Sequence, residues 1–218
     1  MNPVEAEAPS VVPDAATRHT PGLTTMVVAV VAALVLGALA GVMLVRPQQT
    51  PSDSSAEAGF ARDMSVHHAQ AVDMAFSVYQ TTHNAQIKNL AYDIINTQRA
   101  QIGMFSGWLQ QWELPQTTVR PPMQWADHGH GESMTTYEDM PGMASDFQMA
   151  QLASLHGRPA DRLFLTLMIE HHKGGVAMAE SILPLTDRAE VQRLAQTIVD
   201  GQQAEIVNMQ EMLAGLNK

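Results

Sequence analysis

Hydrophobic and polar positions fall into three regimes along the chain. From Leu23 to Val45 no charged residue interrupts a run of Val, Ala, Leu and Met. At 1.5 Å per helical residue such a run is long enough to cross a hydrocarbon layer of about 30 Å, so a single membrane-spanning helix is predicted over 23–45. The preceding residues 1–22 read as a disordered tail. Residues 46–56 are rich in Pro, Ser and Gln, as expected of a tether. From residue 57 onward apolar side chains recur at intervals of three and four: Phe60, Met64, Ala71, Met74, Ala75 and Val78, and later Leu163, Leu167, Met168, Gly175 and Met178. This is the period of helices with one buried face.

The second pattern is a duplication. Shifting the chain by 104 residues without a gap places Phe60 on Phe164, Met64 on Met168, His67 on His171, His68 on His172 and Met74 on Met178. The same register continues through Leu90 and Leu194, Gln98 and Gln202, and Ile102 and Ile206. Each copy reads as a helix pair, 57–113 and 159–215, joined by a connecting segment, 114–158. The first helix runs from about Ala56 to Thr81 and the second from Asn84 to Trp112. The third carries Pro159 in its first turn and ends before Pro184, and the fourth opens near Thr186 or Asp187 and stops at Gly215. Short turns force antiparallel neighbours, so the two pairs predict an all-α, four-helix up-down bundle with a pseudo-twofold axis. Within the connection, Ser145 is expected to cap a short helix that Gly157 terminates.

Composition narrows the function. Net charge is −10 with only 12 Lys and Arg, which argues against nucleic acid as a partner, since phosphate binding needs a basic face. There is no Cys, so disulfides, thiolate metal sites, cysteine nucleophiles and lipoprotein anchoring fall away. Fifteen Met and nine His remain as the soft and borderline metal ligands. With 100° between successive residues, Met64, His67, His68 and Met74 gather on about one third of a helix surface, and Met168, His171, His172 and Met178 repeat the arrangement. Imidazole with thioether suits copper. Zinc, the lesser candidate, would use the imidazoles with Asp63 or Glu170. Adjacent His side chains diverge, so one of each pair is expected at the bundle seam and the other against a neighbouring helix or subunit. Secondary candidates are His128, His130, Met140 and Met143 in the connection. Met at helical spacing is also ordinary core filler, a mobile polar loop would explain the connection, and Asp63, Asp161 and Glu180 read as solvated or capping charges. The sequence has no Glu-x-x-His pair of the di-iron bundles, no Gly-x-Ser-x-Gly, no P-loop and no dinucleotide fingerprint, so no enzyme is predicted.

Arg18 and Arg46 flank the apolar run symmetrically, which leaves its orientation open on charge. Ala38-Leu39-Ala40 would suit a signal peptidase, yet the run continues through Val45 and the leader lacks clustered positive charge, favouring an uncleaved anchor.

The elements Met140-Pro-Gly-Met143 and Asp161-Arg-Leu-Phe-Leu-Thr-Leu-Met168-Ile-Glu-His171-His172-Lys-Gly-Gly-Val-Ala-Met178-Ala179 resemble the signature of the domain of unknown function 305 family. The stretch from Phe60 to Ala75 is similar to the family's weaker first copy. The resemblance implies a ferritin-like bundle, usually exported or membrane-anchored in bacteria, with copper binding or tolerance in some members. Lys173 departs from an ideal cation site, because its charge would oppose a metal at the second pair. Together these readings predict a single-pass membrane protein with its folded domain outside the cytoplasm, binding copper for sequestration or delivery. The alternative is a structural or interaction module that docks on another membrane protein or forms a homo-oligomer.

Overall fold

The computed structural model describes residues 22–44, 49–126 and 134–216, so the tail 1–21 and the candidate ligands His128 and His130 lie outside the described residues. The chain divides into two compact units, Met1–Gln49 and Thr50–Lys218. Among the described residues there are six α-helices, three single-turn 3-10 helices and no strand.

In the first unit, α1 spans Leu23–Leu44, with Gly22 accepting the amides of Thr25 and Met26 at 2.9 and 3.1 Å. Its described side chains are all exposed. The side chains at 39, 40 and 42–44 lie outside the description, and among the described residues no helix is long and apolar enough to cross a membrane. The span predicted over 23–45 is therefore not carried by the structure.

The second unit is a helical bundle. Its long helices are α2 (Ala56–Thr81), α3 (Ala85–Gln111), α5 (Arg158–Ile182) and α6 (Ala189–Leu216), with the short α4 (Asp146–Ser154) between the pairs. Helix α2 packs on α3, α5 on α6, and α2 on α5, while α4 leans on α2 and α5. Side chains set the helix starts. Ser55 Oγ accepts the Ala58 amide at 3.2 Å, and Asn84 Oδ1 accepts Gln86 and Ile87 at 3.0 and 3.3 Å. Ser145 and Gln148 form a reciprocal capping box at the head of α4.

Two glycines act differently from the sequence expectation. Gly157, at φ +60°, is the residue that opens α5 and gives its carbonyl to the Asp161 amide, rather than closing α4, which ends at Ser154. Gly215 does not stop α6, which runs to Leu216.

The core consists of two apolar clusters. One holds Met74, Ile87, Ile94, Phe164 and Met168, and the other Phe60, Met64, Phe105, Met178 and Ile198. On all four long helices, buried polar residues fall in the sequence between the segments that feed these clusters. They are His67 and His68 on α2, Gln98 and Gln101 on α3, His171 and His172 on α5, and Gln202 on α6.

The connection between the pairs is fastened down. Arg62, 2% exposed, donates from Nε to the Pro115 carbonyl at 3.0 Å and pairs through Nη2 with Asp53 at 2.6 Å. Asp63 Oδ2 accepts the Met123 amide at 2.7 Å and the Trp125 indole at 2.8 Å. Asp63 and Asp161 are thus buried rather than solvated, at 3% and 4% exposure. Asp63 is a clasp for the connection, and burial raises its pKa above the usual carboxylate value, partly offset by its two donors.

Candidate metal centre

The four histidines are fully buried where α2 meets α5. His67 and His171 face each other across this seam with ring centroids 3.8 Å apart. His68 and His172 turn aside, each centred 6.4 Å from its chain neighbour at nearly the same tilt, 52° and 54°. His68 Nε2–H donates to Gln101 Oε1 on α3 at 2.7 Å, and His172 Nε2–H donates to Glu205 Oε2 on α6 at 2.7 Å. Gln101 and Glu205 are themselves 104 residues apart. The duplication therefore reproduces contacts as well as residues. The 100° divergence of adjacent helical side chains explains why one imidazole of each pair lies at the seam and the other reaches a neighbouring helix.

His67 has a third kind of partner. Its Nε2–H donates to the Pro141 carbonyl at 3.0 Å. The Met140-Pro-Gly-Met143 element lies as a strap over the α2–α5 seam. Gln70 holds both backbone groups of Ala144, at 2.8 Å each. Gly142, at φ +76°, and Gly174 let the strap meet the α5 backbone. A Cβ on Gly174 would stand 1.9 Å from the Pro141 oxygen, and one on Gly142 would stand 2.4 Å from the Glu170 oxygen. Met140 is 2% exposed, so this part of the connection is core rather than mobile loop.

Burial dominates the electrostatics of the seam. It pushes the His67 pKa down to about 4, a shift that the Pro141 carbonyl partly offsets and the neighbouring His172 charge adds to. It pushes His68 down to about 3, with the His67 charge the next contribution. His171 is held well below its ordinary value, again chiefly by burial, and the adjacent backbone of His67 offsets little of this. These three rings are neutral at pH 7, the form in which imidazole binds metal. Five ring nitrogens have no hydrogen-bond partner: Nδ1 of His67, His68 and His172, and both nitrogens of His171. The amides of Gln98 and Gln202 are also buried without partners. Buried polar atoms left so are uncommon and cost about 1–3 kcal/mol each.

The remaining candidates are placed as follows. Met64, Met74, Met168 and Met178 are fully buried, Met64 and Met178 in one apolar cluster and Met74 and Met168 in the other. Met143 packs partly buried against the cluster that holds Met64 and Met178. Asp63 and Glu170, the carboxylates considered for zinc, are engaged elsewhere, Asp63 by the connection and Glu170 by Lys173 at 2.7 Å. That pairing also holds the Lys173 ammonium at the exposed surface, so its charge does not oppose a cation at the seam. Among the described residues no three His, Asp or Glu side chains are grouped to hold a metal ion. Sequence patterns single out neither Gln101, Glu205 nor the Pro141 carbonyl. Gln98 and Gln202 are visible there as a repeated identity, but Gln101 and Glu205 differ and so pass unnoticed.

The comparisons with known proteins agree with this architecture. The family model for Domain of unknown function (DUF305) matches residues 57–213. A crystal structure of a DUF305 protein from Streptomyces coelicolor, provisionally named a secreted protein, is 43% identical. It matches over 76% of this chain and 96% of that one with a TM-score of 0.70. A DUF305 fragment from Deinococcus radiodurans is 35% identical over 73% and 95% of the two chains, with a TM-score of 0.62. CopM in its Cu(II)-bound form is 32% identical over 72% and 94%, with a TM-score of 0.57, and CopM is also known in Cu(I)-bound, Ag-bound and apo forms. No curated protein matches the chain at a significant level. With the family model matching residues 57–213 and two DUF305 structures similar at 43% and 35% identity over most of both chains, the chain belongs to the DUF305 family.

Proposed function

We propose that this protein is a membrane-anchored, extracytoplasmic metal-binding protein that sequesters or delivers copper. His67, His68, His171 and His172 would supply the nitrogen ligands, with the thioethers of Met64, Met74, Met168 and Met178 as soft auxiliaries. The observation that carries the reading is the set of four fully buried imidazoles, three of them held neutral by burial, with five unpartnered nitrogens at the α2–α5 seam. A buried polar group without a partner is destabilising, and a soft or borderline cation would satisfy several of these at once. The absence of Cys and the abundance of Met favour copper over zinc. CopM, a similar protein crystallised with Cu(I), Cu(II) and Ag, supports the same ion class. The charge-free sequence 23–45 supports an anchor, and the likeness to a Streptomyces protein named as secreted supports placement outside the cytoplasm. A ferritin-like four-helix arrangement is part of this reading, and no catalysis is proposed.

A second reading rests on the burial of the thioethers inside the apolar clusters and on the absence, among the described residues, of a ready-made group of three ligands. In it the duplicated residues only pack a bundle that docks on a membrane protein or on itself. Competition between the full-length protein and a chromophoric Cu(I) chelator separates the two. Tight Cu(I) binding that is lost when His67, His68, His171 and His172 are all changed to Ala supports the copper reading. Parent-like binding by that quadruple variant, or none by the parent, refutes it.

A further inference from the structure

The hydrogen bonds of the seam decide which imidazole atoms are available to an ion. A backbone carbonyl has no proton to give, so His67 Nε2, 3.0 Å from the Pro141 oxygen, carries the hydrogen. The Glu205 carboxylate oxygen fixes the hydrogen on His172 Nε2 in the same way, and the Gln101 amide oxygen does so for His68. In a neutral imidazole with Nε2–H, the lone pair sits on Nδ1. Those three Nδ1 atoms are buried and without partners. The acceptors therefore do what outer partners of metal-binding histidines commonly do, which is to fix the tautomer and leave the other nitrogen as the potential ligand.

The two halves of the duplication are not equivalent in this respect. Gln101 and Glu205 occupy matching positions, each 33 residues after its histidine and each 2.7 Å from it, but one is a neutral amide and the other a carboxylate. A hydrogen bond to an ionised acceptor is about twice as strong as one to a neutral acceptor, and it makes the imidazole the better electron donor. Building on the copper reading above, we propose that Gln101 and Glu205 are positioning residues. They hold His68 and His172 with Nδ1 as the ion-facing atom, and Glu205 makes the His172 half the tighter of the two.

The test uses full-length protein in detergent, with 15N-labelled histidine. Long-range 1H–15N correlations of the apo protein should show Nε2–H tautomers for His67, His68 and His172. Glu205→Leu should disturb only the His172 pattern and Gln101→Leu only that of His68, while Glu205→Gln should keep the His172 tautomer. The Gln101 half already shows that an amide fits this position, so Glu205→Gln should fold as the parent does. In the chelator competition, Glu205→Leu should weaken Cu(I) binding by roughly 10- to 100-fold and Glu205→Gln by less. Gln101→Leu should weaken Cu(I) binding by less than Glu205→Leu does. An Nδ1–H tautomer at His172 in the parent overturns the inference. So does parent-like Cu(I) binding by both Glu205 variants while the quadruple His variant has lost it, an outcome that leaves the copper reading standing. Parent-like binding by the quadruple variant overturns both.

Discussion

Replacing Gly174 by Ala tests whether the Met140–Met143 strap is part of the core. The three nearest atoms that a Cβ would meet are all backbone: the Pro141 oxygen at 1.9 Å, its carbonyl carbon at 2.3 Å and the Gly142 nitrogen at 2.8 Å. None can rotate away, so either the strap shifts or it lifts. A shift in place is overpacking, worth about 1–3 kcal/mol. Lifting removes the hydrogen bond to His67, the two to Gln70 and the burial of Met140. At about 1 kcal/mol per bond and about 2 for the side chain, release caps the cost near 5 kcal/mol. Ala in a helix interior returns about 1 kcal/mol relative to Gly. The net expectation is a loss of up to about 4 kcal/mol, or a fall in Tm of about 2–4 °C for each kcal/mol lost in a domain of this size. Urea denaturation and thermal melts of the apo protein measure it, with Gly103→Ala as the control. Gly103 lies exposed on α3, where an added Cβ meets nothing within 4 Å, so that change should stabilise by up to about 1 kcal/mol. A Gly174→Ala protein as stable as the Gly103→Ala protein would show that the strap does not pack as described.

Two further outcomes follow from the buried polar groups. His67 has a folded pKa of about 4 against 6.5 in the unfolded chain, so the unfolded state binds more protons between these values and stability falls as pH falls through the window. The full effect is roughly 3 kcal/mol for this residue. His68 and His171 act in the same direction, whereas Asp63, with its pKa raised, opposes them near its own titration. The slope is therefore read between about pH 5 and 6.5. Urea midpoints of apo protein should decline across that range, and a His67→Gln variant should show a shallower decline; equal slopes would contradict the burial of a neutral ring. Trp125→Phe removes one of the two donors to Asp63 Oδ2 and should cost about 1–3 kcal/mol, measured by thermal melt. A neutral result would mean that Asp63 does not clasp the connection.

The helices and their duplication were legible because both leave periodic marks on the sequence. Phe60, Met64 and Met74 recur at helical spacing, and their counterparts recur after 104 residues. Ser145 was legible as a cap because its capping box is local. What lay out of reach was tertiary. Gly142 and Gly174 are 32 residues apart and mark one another only once the strap has docked, so the Met-Pro-Gly-Met element looks like loop. Asp63 looks like a surface charge because its donors, Met123 and Trp125, lie about sixty residues away. Gly157 sits after one helix and before another, and only its backbone angles assign it to the second. At the seam, identity between repeats pointed to the histidines and to Gln98 with Gln202. Gln101 and Glu205 share a role without sharing an identity, and that requires the hydrogen bonds to be seen.

The polar belt has an energetic consequence for the whole domain. It parts the core into two apolar clusters, each fed by all four long helices, and places between them rings and amides whose unpartnered atoms each oppose folding. Net stabilities of domains are only about 5–15 kcal/mol, so several such atoms are a large fraction of the total. Two features of the sequence offset this. One is the pairing of the Phe60 and Phe164 segments with separate clusters, which gives each end of the bundle its own apolar core. The other is the strap, whose Pro141 carbonyl and Gly142–Gly174 contact tie α2 to α5 at the level of the belt itself. A ligand that binds only the folded state adds stability in proportion to the logarithm of its concentration over Kd. A cation accepted by the Nδ1 atoms would therefore stabilise the bundle at the point where its own packing opposes folding most. That is why the unpartnered nitrogens, more than the number of histidines, carry the argument for a bound ion.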